Sequence, residues 1–193
     1  MTPQDPNQLL ITASENGDVE QVRNLLAHAT ELQRDLALVR AALAGQLECV
    51  QALVPYATSS GRGEALVMAV DWNRLSCVKL LIPLSEPKYY YNALLAAIQH
   101  DYVESAQLLL PLADPTINNN WMVVWAAAHQ QSQMLDLLLD VCDPQAAIAS
   151  MRAYQPDDKD ALMLLEEKAS QRQNARLCAQ VGPIETTGRP RKI

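Results

Sequence analysis

One fourteen-residue skeleton recurs five times along the chain, and that recurrence constrains the fold more than any other feature. A small residue opens it, a turn residue follows four positions later, and apolar residues then come three and three or four apart. The first copy is Ala13 to Leu26, Ala-Ser-Glu-Asn-Gly-Asp-Val-Glu-Gln-Val-Arg-Asn-Leu-Leu. The second runs from Ala41 through Gly45 to Leu47, Val50, Leu53 and Val54, and the third from Ala69 through Asn73 to Leu75, Val78, Leu81 and Ile82. The fourth runs from Ala97 through Asp101 to Val103, Ala106, Leu109 and Leu110, and the fifth from Ala126 through Gln130 to Ser132, Leu135, Leu138 and Leu139. The period is about 28 residues, within the range of stacked repeat units that cannot bury their apolar faces alone.

Each unit reads as a short helix, a tight turn, a longer helix and a connector. In the first, Asp5-Pro6-Asn7 sets a helix over Gln8 to about Glu15, and Asn16-Gly17-Asp18 breaks it, because Gly tolerates left-handed backbone and Asn or Asp bonds its own main chain. A second helix over Val19 to about His28 then buries Val19, Val22, Leu25 and Leu26. Prolines close the later units: Pro55, Pro83 with Pro87, Pro111 with Pro115, and Pro144 cannot continue a helix, so the chain turns back. No unit alternates as a strand does. The expectation is an all-α solenoid of helix-turn-helix repeats with short loops, with units near 7–34, 35–62, 63–90, 91–118 and 119–144. A degenerate capping unit at 145–177 would hold a charged second helix from Lys159 to about Gln173, since the last face of a solenoid has no neighbour. Those residues, 1–177, form one domain on this reading, and 178–193 a mobile, aperiodic tail.

Composition narrows function by exclusion. The chain has 193 residues, 49% of them apolar but no Phe, and a net charge of −7. A basic stripe for phosphates is lacking, so nucleic acid is not the expected partner, and the four residues Arg189-Pro190-Arg191-Lys192 are too few to change that. No apolar run spans a bilayer, and Met1 to Asn7 lacks the charged and apolar regions of a signal peptide, so a cytoplasmic monomer away from membranes is expected. A protein exported by a leaderless route would read the same. Cys49, Cys77, Cys142 and Cys178 are scattered without a C-x-x-C pair, as in a reducing compartment. Cys49 and Cys77 share one slot in successive second helices, where packing is their expected role.

The copies Ala13–Leu26 and Ala41–Val54 resemble the ankyrin repeat, whose family pattern is Ala-Ala-x-x-Gly-His-Leu-Glu-Val-Val-Lys-Leu-Leu-Leu. The resemblance covers about Gln8 to Asp143. Two departures stand out: the Thr-Pro-Leu-His opening is absent, and the period is shorter than the ~33 residues usual in the family. The missing residues would come from the projecting hairpin finger, which moves the expected recognition surface to the inner helices. The resemblance implies a non-enzymatic module that binds a partner protein through its concave face, with no cofactor. Its recognition positions carry over to Glu15 and Asn16, Leu43, Asp71 and Trp72, Gln99 and His100, and His129, just before each turn. Loop residues Tyr89, Tyr90 and Trp121 join them, because Trp and Tyr most often carry binding energy, and the preferred track is Trp72, Tyr90 and Trp121. Trp125 is expected in the core.

Catalysis finds no motif here: there is no Gly-rich phosphate loop, no Gly-x-Ser-x-Gly and no His-Glu-x-x-His. His100 and His129 share a slot one unit after Asp71, but units ~10 Å apart hold two imidazoles too far from one metal. The alternative reading is an immunity-type inhibitor that blocks one basic enzyme or toxin, motivated by the acidic series Glu15, Glu48, Asp71, Glu104 and Asp136.

Overall fold

The recurring alanine has a structural task that its conservation of place across the repeats suggests. The computed structural model describes residues 6–181, and in it the carbonyls of Ala13, Ala41, Ala69, Ala97 and Ala126 each accept a hydrogen bond from the amide five residues on, at 2.7–2.9 Å. The residue between is left-handed every time: Gly17 (φ 81°), Gly45 (φ 82°), Asn73 (φ 53°), Asp101 (φ 57°) and Gln130 (φ 56°). This is a Schellman closure, in which a left-handed residue lets the next amide return to the last helical turn. All five lead alanines are buried, so a larger side chain there would hold the helices apart.

Twelve α-helices form among the described residues, and no strand. They pair as α1 (Pro6–Asn16) with α2 (Val19–Leu26), α3 (Glu31–Ala44) with α4 (Leu47–Leu53), and α5 (Ser59–Asp71) with α6 (Leu75–Leu81). The series continues with α7 (Tyr90–Gln99) and α8 (Val103–Leu109), α9 (Ile117–Ala128) and α10 (Ser132–Val141), and α11 (Pro144–Tyr154) and α12 (Lys159–Val181). The odd-numbered helices pack in order against one another, and the even-numbered helices do the same, giving an inner and an outer layer. This is an all-α ankyrin-like solenoid.

Side-chain caps set where three of the inner helices begin. Thr30 and Gln33 form a reciprocal capping box at α3, Thr58 accepts from the Gly61 amide at α5, and Asp143 accepts from Gln145 and Ala146 at α11. The first outer helix ends at Leu26, two residues short of the expected His28, and α1 runs one turn-residue further than expected, to Asn16. The connectors at 27–30, 57–58 and 142–143 lie outside helices, whereas the expected joins at 34/35 and 62/63 fall inside α3 and α5.

The core lies between the layers. Small residues of the inner layer (Ala37, Ala41, Ala65, Ala69, Ala93, Ala97, Ala127) meet larger ones of the outer layer (Val22, Val50, Leu53, Val78, Leu81, Leu109, Leu138), all of them fully buried. Each buried Leu or Val adds on the order of 1.5–3 kcal/mol. Cys49 and Cys77 are buried in α4 and α6 beside Val50 and Val78, as the shared slot implies.

The sixth pair departs from the rule. Gln155 after α11 is not left-handed and bonds back only to Met151. Helix α12 continues to Val181, past the expected end near Gln173, because Gln171 to Val181 contains no breaker before Gly182-Pro183. Most of the expected tail, 182–193, lies outside the described residues. Among the described residues no helix is long and apolar enough to cross a membrane.

Candidate partner-binding face

Helix α3 is flanked by α1 and α5 and backed by α4, and α5, α7 and α9 are enclosed in the same way. Three sides of each inner helix are therefore covered and the fourth is open. On α3 the open stripe is Leu32, Leu36, Val39, Arg40 and Leu43, of which Leu32 is 69% and Leu36 43% exposed. Shifting by one period gives Glu64, Val67, Met68 and Asp71 on α5, and Asn92, Leu95 and Gln99 on α7, each at least partly exposed. The middle of this face is apolar and its edges are polar.

At the pre-turn edge, Glu15, Asn16, Gln99, His100 and His129 are exposed, Asp71 and Leu43 are half-buried, and Trp72 is 52% exposed. These residues are held by bonds between units. The Gln46 amide reaches back to the Glu15 carbonyl at 3.3 Å, and Arg74 Nε donates to the Leu43 carbonyl at 2.9 Å. His100 Nε2 lies 3.0 Å from Asp71 Oδ1 and its ring stacks on Tyr102. His129 Nδ1 donates to the Trp125 carbonyl at 2.9 Å, and because a carbonyl only accepts, that nitrogen carries the proton. The two histidines thus turn to different partners. Among the described residues, no group of three or more His, Cys, Asp and Glu could hold a metal ion.

The aromatic residues divide into two sets. Tyr89 and Tyr90 are half-buried and bound into the scaffold. The Tyr89 hydroxyl donates to Ser60 at 3.0 Å and its ring lies so close to Gly63 that a Cβ there would come within 2.1 Å. The Tyr90 hydroxyl points at the carbonyls of Ile82 and Ser85, at 2.9 and 3.0 Å. The Tyr90 hydroxyl is thus engaged by the scaffold.

Trp121 is tilted against Trp125 with centroids 5.9 Å apart and meets Tyr154 edge-on at 6.3 Å. Trp125 is not a core residue throughout: one side packs on the core, while His129 covers the other at 4.0 Å, and its indole N–H has no partner among the described residues. Tyr154, 49% exposed, is the residue the sequence reading passes over. It ends α11 at the position that precedes the turn Gln155-Pro156-Asp157-Asp158, as Trp72, His100 and His129 precede theirs, but this turn lacks the left-handed residue that marks the others.

The acidic series does not line one face. Glu48 and Glu104 stand on the outer helices α4 and α8, and Asp136 on α10 is bound by Lys168 and Arg172.

The model of the ankyrin repeats family matches residues 9–90 in three copies. No curated protein and no solved structure matches the chain. Ankyrin repeats are generally protein–protein interaction modules. Past residue 90 the α7–α8 and α9–α10 pairs repeat the matched units turn for turn, down to the alanine carbonyl and the left-handed residue, so the ankyrin-repeat pattern matched over residues 9–90 continues in the structure to α10.

Proposed function

We propose that this protein is a non-enzymatic module that binds a partner protein across the open, concave side of its inner helices. One observation carries the reading: the pre-turn slot holds an accessible ring in four consecutive units, Trp72, His100, His129 and Tyr154. Adjacent helices lie about 8–10 Å apart, so Trp72, His100 and His129 span roughly 16–20 Å, and Tyr154 extends the surface beside Trp121 and Asn119 toward the start of α9. Below them Leu36, Met68, Leu95 and Trp125 supply an apolar floor at least partly open to solvent. Rigid aromatic anchors over such a floor give binding energy at little entropic cost. On this reading residues 1–177 form one domain, with the cap made by α11 and the part of α12 up to Leu177.

The test uses a partner recovered from lysate and then titrated in purified form. Trp72→Ala and Tyr154→Ala should each weaken binding about tenfold with an unchanged melting curve. Tyr90→Ala should lower the melting temperature and leave the affinity of the folded fraction intact. Wild-type affinity in both Trp72→Ala and Tyr154→Ala would remove the assignment.

A further inference from the structure

Three consecutive asparagines, Asn118, Asn119 and Asn120, open α9 in left-handed conformation, with φ of 60°, 56° and 56°. Non-glycine residues rarely adopt this backbone in series, and Asn tolerates it best. Two of the three carboxamides are used between units: Asn118 Nδ2 donates to the Tyr91 hydroxyl and Asn119 Nδ2 to the Tyr154 hydroxyl, both at 2.9 Å. The third is not. Asn120 is 9% exposed, and among the described residues no side-chain hydrogen bond is formed by its carboxamide, unlike those of Asn118 and Asn119. Its carboxamide faces an open recess, where it can pair with water or with a ligand.

Asn120 lines a recess of about 570 Å³ between the start of α9 and α11. The remaining lining is Asn119, Tyr154 and four residues of α11, Ala146, Ala149, Ser150 and Ala153. Those four recur at helical spacing on one stripe, so nothing longer than a hydroxymethyl group rises from the floor. The Ser150 hydroxyl already donates to the Ala146 carbonyl at 2.9 Å. No charged side chain lines the recess, although the chain as a whole carries a charge of −7.

We propose that this recess anchors the partner and takes an uncharged, extended stretch of its main chain, the Asn120 carboxamide pairing with one peptide unit. The inference rests on the concave-face reading and names its chemistry at one end. A carboxamide offers one donor face and one acceptor face, the complement of a peptide N–H and C=O. A carboxylate or a guanidinium would use only half of it. The floor of small residues lets a backbone approach closely, which a partner helix, with its amides already paired, would not require. Tyr154 closes the end of the recess and takes the side chain next to the bound peptide unit.

The experiment pans a phage-displayed library of unconstrained random dodecapeptides against the full chain and titrates the selected peptides into four proteins. These are the wild type, Asn120→Gly, Ala149→Leu and Trp72→Ala. Asn120→Gly keeps the left-handed backbone while deleting the carboxamide, and Ala149→Leu fills the recess from an exposed helical position, so melting curves should stay near wild type. The expected result is a loss of about tenfold or more in Asn120→Gly and Ala149→Leu. Peptides weakened by Trp72→Ala but by neither recess variant would overturn the anchor and leave the concave-face reading standing. Peptides indifferent to all three variants would overturn both. A library that yields no binder overturns the anchor, and so does preferential selection of peptides from a parallel helix-constrained library. Sedimentation of the wild type adds one more outcome: a dimer lost in Ala149→Leu would assign the recess to a second copy instead.

Discussion

At the scale of single residues, the five turns solve one problem with unequal chemistry. Gly17 and Gly45 adopt left-handed backbone without a Cβ penalty, and the next unit exploits the space: Gln46 and Arg74 lie over them, 2.6 and 2.8 Å from where a Cβ would stand. Asn73 and Asp101 are tolerated there, but Gln130 is of a residue type that seldom adopts this backbone. Gln130→Gly should therefore stabilise the fold by up to about 1 kcal/mol, offset in part by the entropy of the unfolded glycine. A rise of roughly 2–4 °C in melting temperature is the measurement, and a fall would show that the turn carries no strain. The buried thiols give a second residue-scale expectation. Burial pushes Cys49 and Cys77 above their usual value and Cys142 from 9.0 up to about 11. A folded pKa above the unfolded one means that the proton is held more tightly in the native state. The contribution of Cys142 is then complete below about pH 9 and is lost as the pH rises toward 11. Urea midpoints measured from pH 8 to 11 should decline, and Cys142→Ala should flatten the decline. In a Cys178→Ser background, a thiol-specific chromogenic reagent at pH 8 should find no reactive cysteine until denaturant is added.

At the scale of elements, α12 is the part whose hold was least legible from sequence. Lys168 and Arg172 lie 2.7 and 3.0 Å from the Asp136 carboxylate, Arg172 also bonds the Asp136 carbonyl, and its Nη2 lies 2.7 Å from Asp140. Burial opposes the charge on Asp136, yet the hydrogen bonds from Lys168 and Arg172 outweigh it and hold the carboxyl below its ordinary range. A depressed folded pKa gives stability that is present above the unfolded value, near 4, and is lost as the pH falls below it. Asp136→Asn should cost roughly 1 kcal/mol at neutral pH and show little further cost in acid, whereas the wild type should lose its advantage below about pH 4. Hydrogen exchange in α12 is the direct readout, and equal protection of wild type and variant at pH 7 would refute the clamp. These partners stand 32 and 36 residues apart, with no period to announce them. The turns, by contrast, were legible because five copies could be laid over one another, so an alanine and a turn residue at fixed offset became visible. That Tyr89 and Tyr90 are bound into the scaffold was illegible for the opposite reason: Gly63 and the Ile82 carbonyl that hold them belong to the preceding unit and connector. The left-handed run Asn118–Asn120 gave no signal either, since Asn marks such backbone far less reliably than Gly.

At the scale of the whole molecule, each helix packs mainly on its own pair and on the adjacent ones, so stability propagates through neighbours rather than through one shared centre. A central unit has two such neighbours and the capping unit has one. The same truncation should then have different reach in different places. Leu66 in α5 and Leu165 in α12 are both fully buried, and Leu→Ala at such a site costs about 2–5 kcal/mol. In the centre, Leu66→Ala weakens the interfaces of α5 with both α3 and α7, and protection should fall throughout the array. At the cap, Leu165→Ala loosens α12 against α9, α10 and α11, while α1 to α6 retain every neighbour they had. Amide exchange followed by mass spectrometry should show faster exchange over 144–181 in Leu165→Ala with peptides from 6–84 unchanged, a sub-global opening rather than a loss of the fold. Partner binding links the two scales. A ligand seated on α9 and α11 holds the cap and should restore its protection in Leu165→Ala, whereas one seated only over Trp72 should not. If Leu66→Ala and Leu165→Ala raise exchange equally along the whole chain, the units are not coupled through their neighbours and the molecule unfolds as one block.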